Sequence, residues 1–221
     1  MAYHFKNKAY RGILFDLDGT LLDSMGVWEK IDEEFLKRKG IPPSPDYTQA
    51  LRTMSFSQAS AYTRERFGLE ETTEEIEAQW HAMAVWEYSE NLRLKPLAYD
   101  FLHQLKTKGV LLALATAASP SLYLPALKNN GILELFHYFI SVPETGLHKS
   151  QPEFFLHSAQ KLGLPAQDCL VFEDVLSAAL SAKKAGMGVI GVYDAASNHE
   201  RNGFAEEADG YIEDFSELLE S

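Results

Sequence analysis

The chain of 221 residues is poor in cysteine and in cations, and it contains no long apolar run. Its one cysteine, Cys169, lies inside the run "CLVF" and has no second thiol to pair with. It reads as a small buried hydrophobe, and a chain without a disulfide framework fits a reducing compartment. Lys and Arg number 20 against 32 Asp and Glu, a formal net charge of -12. Nucleic-acid binding needs a basic surface, so the charge argues against a phosphate-backbone partner. No stretch approaches the ~20 apolar residues of a membrane span, and "MAYHFKNKAYRG" holds no apolar segment of signal-peptide length. A cytoplasmic protein with no membrane partner is expected, and a monomer is the default. Internal repeats and low-complexity tracts are also lacking.

What remains is ordinary for a globular protein: 46% hydrophobic and 24% charged residues, in a length that fits one domain or one domain with an insertion. Short apolar, β-branched runs recur at 12–16, 110–116, 137–142, 169–174, 187–193 and 210–214, and read as strands. They are continuous rather than alternating, as in a parallel sheet covered on both faces. Helical patterns lie between them ("LAYDFLHQLKTKG", "PSLYLPALKNNG", "PEFFLHSAQKLG", "VLSAALSAKKAG"), each stopping at a glycine. The alternation predicts an open α/β sheet.

Residues 24–91 break that rhythm. "VWEKIDEEFLKRKG", "SFSQASAYTRERFG" and "TTEEIEAQWHAMAVWEYSE" are three helical patterns without a strand, and "IPPSP" (41–45) is a stiff connector. Trp80, Met83, Ala84 and Tyr88 fall at helical spacing and read as the core of a helical subdomain. The expected organisation is an α/β core of residues 1–23 and 92–221, with an all-helical insertion at 24–91.

The first strand runs into "FDLDGTLLDS", which puts Asp16, Asp18 and Asp23 within eight residues. Ligands of open α/β sheets bind beyond the carboxyl ends of the strands. Those ends carry Asp16 and Asp18, then Thr116, then Glu173 and Asp174, while the loop "TGLHKSQPEFF" offers Lys149. Parallel, adjacent strands would bring acids, a hydroxyl and a lysine to one spot.

This ordered set resembles the haloacid dehalogenase superfamily, in the branch with a helical cap inserted after the first strand. "DLDGTLLDS" matches the family's D-x-D-G-T motif. "LATAAS" is similar to its strand ending in Thr or Ser, "HKSQPEFF" to its K-P-x-P-D loop, and "VFEDVLSAALSAKKAGM" to its E-D-S-x-x-G motif with an Ala-rich helix. Ser150 stands where the family has proline, and Val175 and Ala178 where it has Ser and Gly. Ala117 and Ala118 occupy positions that are often polar. The resemblance implies a Rossmann-like parallel sheet with an inserted helical cap.

It also implies the chemistry of a phosphatase. Asp16 would attack phosphorus and become an aspartyl-phosphate. Asp18 would protonate the leaving oxygen and then take a proton from the hydrolytic water. Gly19 permits the sharp turn that lets both carboxylates reach one substrate. Two anions repel a phosphate, so a hard cation is required, and Mg²⁺ with oxygen ligands fits. The resemblance supplies Asp16, the Asp18 carbonyl and Asp174, with Glu173 direct or through water. Lys149, Thr116 and the amide of Ala117 would hold the phosphoryl oxygens. Asp23 is expected to brace the following turn and His148 to be a loop residue.

The leading expectation is a Mg²⁺-dependent phosphatase acting on a small phosphorylated metabolite. A sugar-phosphate mutase is the alternative, since β-phosphoglucomutase shares fold and cap; Trp28 and approximately Phe56 stand where its cap offers His and Arg. A dehalogenase fits less well, because that branch lacks the second acid. A non-catalytic phospho-ligand or partner-binding protein is disfavoured by the complete catalytic set.

Overall fold

A computed structural model describes residues 2–51 and 54–219. Tyr3–Phe5 (β1) and Lys8–Tyr10 (β2) form an antiparallel hairpin that no periodicity in the sequence announces. Its cause is tertiary: Tyr3 and Tyr10 are buried, and the Tyr3 ring meets Phe101 edge-on at 5.6 Å. Gly12–Phe15 (β3) follows, with all four residues buried as its unbroken apolar run requires.

The chain divides into two compact units, Met1–Met25 with Leu92–Ser221, and Gly26–Asn91. The second unit is helical. Its helices are Val27–Arg38 (α1), Pro45–Leu51 (α2), Phe56–Phe67 (α3) and Thr73–Trp86 (α4). Two starts are written in the sequence as capping boxes, Ser55 with Gln58 and Thr72 with Glu75. The stiff connector "IPPSP" ends one residue early, because Pro45 takes the first position of α2, where its missing N–H costs nothing. The last helical pattern leaves α4 at Trp86 and continues as a wider π turn, Glu87–Asn91. Trp80, Ala84 and Tyr88 are buried with Ile31, Phe35 and Tyr47, as expected of that spacing, whereas Met83 of the same set is only half-buried.

The first unit resumes with Ala98–Thr107 (α5), Leu111–Thr116 (β4), Pro120–Asn129 (α6), Tyr138–Ser141 (β5), Val142–Thr145 (α7) and Pro152–Lys161 (α8). Cys169–Glu173 (β6), Leu176–Lys184 (α9), Gly188–Val192 (β7), Arg201–Glu207 (α10) and Gly210–Ile212 (β8) complete it. The six strands β3 to β8 form a parallel sheet in the order β5-β4-β3-β6-β7-β8. The predicted parallel α/β sheet is thus the observed one, with strands trimmed by one or two residues.

Successive side chains of a strand point to opposite faces. Leu14, Val171 and Val189 join a buried cluster with Phe154, Phe155 and Ala182 of α8 and α9. Phe15 turns the other way, stacks on Phe172 at 4.8 Å and meets Phe101 and Phe215. Both faces of the sheet are therefore covered. From β3 the chain builds outward to β4 and β5, then returns to add β6, β7 and β8 on the opposite side. The direction reverses between β3 and β6, where an open sheet leaves a crevice at its carboxyl edge.

Candidate active site

Asp16 lies at that reversal. Its N–H donates to Phe172 O at 3.0 Å, extending the β3–β6 pairing by one residue and setting Asp16 across from Glu173. The backbone then folds on itself: the N–H groups of Leu21 and Leu22 both reach Leu17 O, at 2.9 and 2.8 Å, and Gly19 N–H reaches Leu22 O at 3.1 Å. Gly19 adopts φ +80, the left-handed region that glycine enters without strain. A Cβ there would also collide with the Asp174 carboxylate. Glycine meets two demands at this position, a turn and a close approach.

Asp16, Glu173 and Asp174 are all buried, and each offers a carboxylate oxygen within 4.8 Å of the others. Lys149 enters from the loop between α7 and α8. Its Nζ donates to Asp16 Oδ1 at 2.6 Å and forms an ion pair with Glu173 Oε2 at 2.5 Å. Where the family carries proline, Ser150 Oγ contacts His148 Nδ1 at 2.9 Å, and Gln151 Oε1 accepts the His148 N–H at 3.0 Å. Polar contacts among His148, Ser150 and Gln151 tie this loop together.

Burial alone would lower the Lys149 pKa, but the carboxylates of Asp16 and Glu173 outweigh it and hold the ammonium charged. Burial, with Asp16 alongside, pushes Asp174 up to about 7. Burial raises Glu173 well above the usual carboxylate range, against the pull of Lys149. One lysine does not balance three clustered acids. Asp174 Oδ2 has no hydrogen-bond partner among the described residues, although its Oδ1 accepts from Thr20 Oγ1 at 3.2 Å. A buried, unpartnered carboxylate oxygen in an all-oxygen donor set fits a hard divalent cation.

Asp18 is half-buried, and its Oδ1 accepts from Ser24 Oγ at 2.7 Å. Thr116 is fully buried at the end of β4, where its Oγ1 accepts the Ala118 N–H at 3.0 Å; Ala117, between them, is exposed. Asp23 is exposed, and its backbone N–H donates to Arg93 O at 3.0 Å rather than to the turn that follows it. Reading the sequence missed the hydroxyls of Thr20 and Ser24. The sequence shows them only as two hydroxyl residues on either side of Leu21-Leu22-Asp23; their burial is visible only in the structure. In the helical unit, Trp28 and Phe56 are partly exposed and meet edge-on, with ring centroids 5.7 Å apart.

A profile of the family described as haloacid dehalogenase-like hydrolase matches residues 10–186. Hexitol phosphatase A of Escherichia coli (strain K12) is 30% identical over 184 residues, 82% of each chain. A probable pseudouridine-5'-phosphatase of Drosophila melanogaster is 27% identical over 218 residues, 95% of this chain and 94% of that protein. The crystal structure of a putative beta-phosphoglucomutase from Thermotoga maritima superposes with a TM-score of 0.80 at 22% identity, covering 91% and 94% of the two chains.

Proposed function

The chain belongs to the haloacid dehalogenase-like hydrolases, and from that premise we propose a Mg²⁺-dependent phosphatase that transfers the phosphoryl group of a small metabolite to Asp16 and then to water. It is a phosphoric monoester hydrolase, in keeping with relatives that are themselves named phosphatases. The observation that carries the mechanism is the meeting of Asp16, Glu173 and Asp174 around Lys149, with Asp174 Oδ2 unpartnered.

A carboxylate of Asp16 attacks phosphorus, and the bond to the leaving oxygen breaks. Asp18 gives that oxygen its proton, so the product departs as an alcohol. In the second step a water attacks the phosphoryl group, its proton passes to Asp18, and the bond to Asp16 breaks to release phosphate. Ser24 Oγ aims the Asp18 carboxylate, and Lys149 Nζ orients that of Asp16. Thr116 Oγ1, Ala117 N–H and Lys149 receive the phosphoryl oxygens. A bound Mg²⁺ supplies positive charge to the transferring group and relieves repulsion among the acids. Asp16, the Asp18 carbonyl and Asp174 would hold it, with Glu173 direct or through water; Val175 N–H reaches Glu173 Oε1, and Lys149 pairs with Oε2.

Phosphate monoesters are so inert that acid–base help of about 10²–10⁴ is a small part of the acceleration needed. Positioning and preorganised charge supply the larger part. Substrate choice we assign to the helical segment 24–91, since the core groups address only the phosphate. Trp28 and Phe56 cannot relay protons or bind a second phosphate by charge, which disfavours a mutase.

Release of phosphate from p-nitrophenyl phosphate tests the reading. It should require Mg²⁺ and disappear in Asp16→Asn, which is isosteric but lacks nucleophile and charge. More than about a tenth of wild-type turnover in that variant would refute the covalent route.

A further inference from the structure

Lys95 and Asp194 form a second buried ion pair in the same unit, with Nζ to Oδ2 at 3.0 Å. Neither residue belongs to a motif. Lys95 Nζ also donates to Tyr193 O at 2.5 Å, and Asp194 Oδ1 accepts the Ala196 N–H at 2.9 Å, so both groups have fixed partners. Asp194 lies two residues past the end of β7, and β7 runs beside β6 with Gly191 paired to Glu173. The pair therefore sits at the carboxyl edge of the strand next to the one that delivers Glu173 and Asp174. Lys95 reaches it from the other side: its N–H donates to Leu21 O at 2.8 Å, anchoring it against the turn whose Thr20 holds Asp174.

We propose that the Lys95–Asp194 pair sets the fixed charge beside Asp174 and thereby tunes how tightly the acidic cluster holds its cation; this rests on the reading of that cluster as a cation site. Two buried charges of opposite sign stand beside the strand end that carries Asp174. Paired, they oppose each other in sign; left alone, either would reach the cation site across a poorly screened interior. Outer-shell partners of a metal site change affinity by about 10–100-fold when altered.

A pair that only staples the Tyr193–Ser197 turn to the returning chain would respond differently. Breaking it from either end would loosen the same turn and weaken cation binding in both cases. The charge account instead demands opposite signs. Asp194→Asn leaves an uncompensated ammonium near the site and should weaken Mg²⁺ binding by about tenfold. Lys95→Met leaves an uncompensated carboxylate and should tighten it, while lowering the melting temperature in EDTA. The double variant should return to within about twofold of wild type, because the pair is removed as a unit.

The test is titration of the whole 221-residue chain with Mg²⁺ alone at pH 8, followed by calorimetry and by the Mg²⁺-dependent shift in melting temperature. Opposed shifts restored in the double variant support the inference. Shifts of the same sign, or none, overturn it while leaving the cation site standing. No saturable binding by wild type overturns the cation reading and this inference with it. Should Lys95→Met not fold, weaker binding in Asp194→Asn with recovery in the double variant still supports the charge account, and its failure to recover refutes it.

Discussion

Replacing Lys149 with methionine probes the site at its most concentrated charge. The side chain is buried, 2.6 Å from Asp16 Oδ1 and 2.5 Å from Glu173 Oε2. At an effective dielectric near 20, each contact corresponds to about 6 kcal/mol of Coulomb attraction, much of it offset by desolvation. The measurable loss is smaller than their sum for a second reason. Asp174 already stands at about 7 with Lys149 present, and removing the cation drives it and Glu173 higher. At neutral pH the cluster then takes up a proton rather than holding three bare charges. The expected cost is about 3–5 kcal/mol, the range for breaking a buried pair from one side. For a chain of this size that lowers the melting temperature by roughly 6–20 °C in EDTA. Mg²⁺ at a hundredfold excess over its Kd should restore about 2.7 kcal/mol if it binds only the folded state. The variant should therefore gain more from Mg²⁺ than wild type does, since tighter binding replaces the lost countercharge, while turnover falls by about 10²–10³. Scanning fluorimetry with and without Mg²⁺ makes the measurement. Melting within about 2 °C of wild type in EDTA would show that Lys149 is not the countercharge of the cluster.

In Asp18→Asn, aryl phosphates, whose leaving group needs no proton, should transfer and then stall, giving a burst of nitrophenol near one per enzyme; alkyl phosphates should stall before transfer, and uniform slowing without a burst would contradict the acid–base role. Gly19→Ala should lose Mg²⁺ affinity together with activity, because the new methyl meets the Asp174 carboxylate as well as straining φ +80; unchanged Mg²⁺ binding by calorimetry would refute the close-approach argument. Asp32, half-buried in α1, is pushed up to about 7 by burial, with Glu29 adding to it. A carboxyl raised in the folded state costs nothing below its unfolded value near 3.8, and its cost accrues as pH rises to about 7. Asp32→Asn should therefore stabilise the protein by about 2 kcal/mol at pH 8, after discounting for solvent screening, and by almost nothing at pH 4; melting curves with equal differences at both pH values would refute it.

Local physics made much of this architecture readable. The apolar run Gly12–Phe15 reads as a strand covered on both faces, and it is one. Ser55 with Gln58 and Thr72 with Glu75 announce helix starts at four-residue range, because capping boxes are closed by near neighbours. The hairpin β1–β2 was not readable, since its strands of three residues are held by contacts such as Tyr3 on Phe101, 98 positions away by residue number. The extra helix α2 was hidden by the prolines around it, which mark both a connector and a first helical turn.

The candidate site divides along the same line. Asp16, Asp18 and Gly19 follow one strand within four residues, so the sequence by itself determined that two acids and a turn stand at a strand end. It also determined, through the order of its strands and motifs, an α/β hydrolase of this family. Only the tertiary structure decided what those acids meet. Lys149 is 133 residues from Asp16 and Asp174 is 154 from Thr20; the register of β3 against β6 sets Asp174 beside the turn of Thr20, and the loop between α7 and α8 carries Lys149 in. Gly19 illustrates the difference: its turn is legible from its neighbours, whereas the collision that forbids a Cβ involves a carboxylate delivered by another strand. The Lys95–Asp194 pair has no sequence pattern at all, because charges 99 positions apart become partners only when the sheet sets two loops side by side, where burial strengthens their attraction.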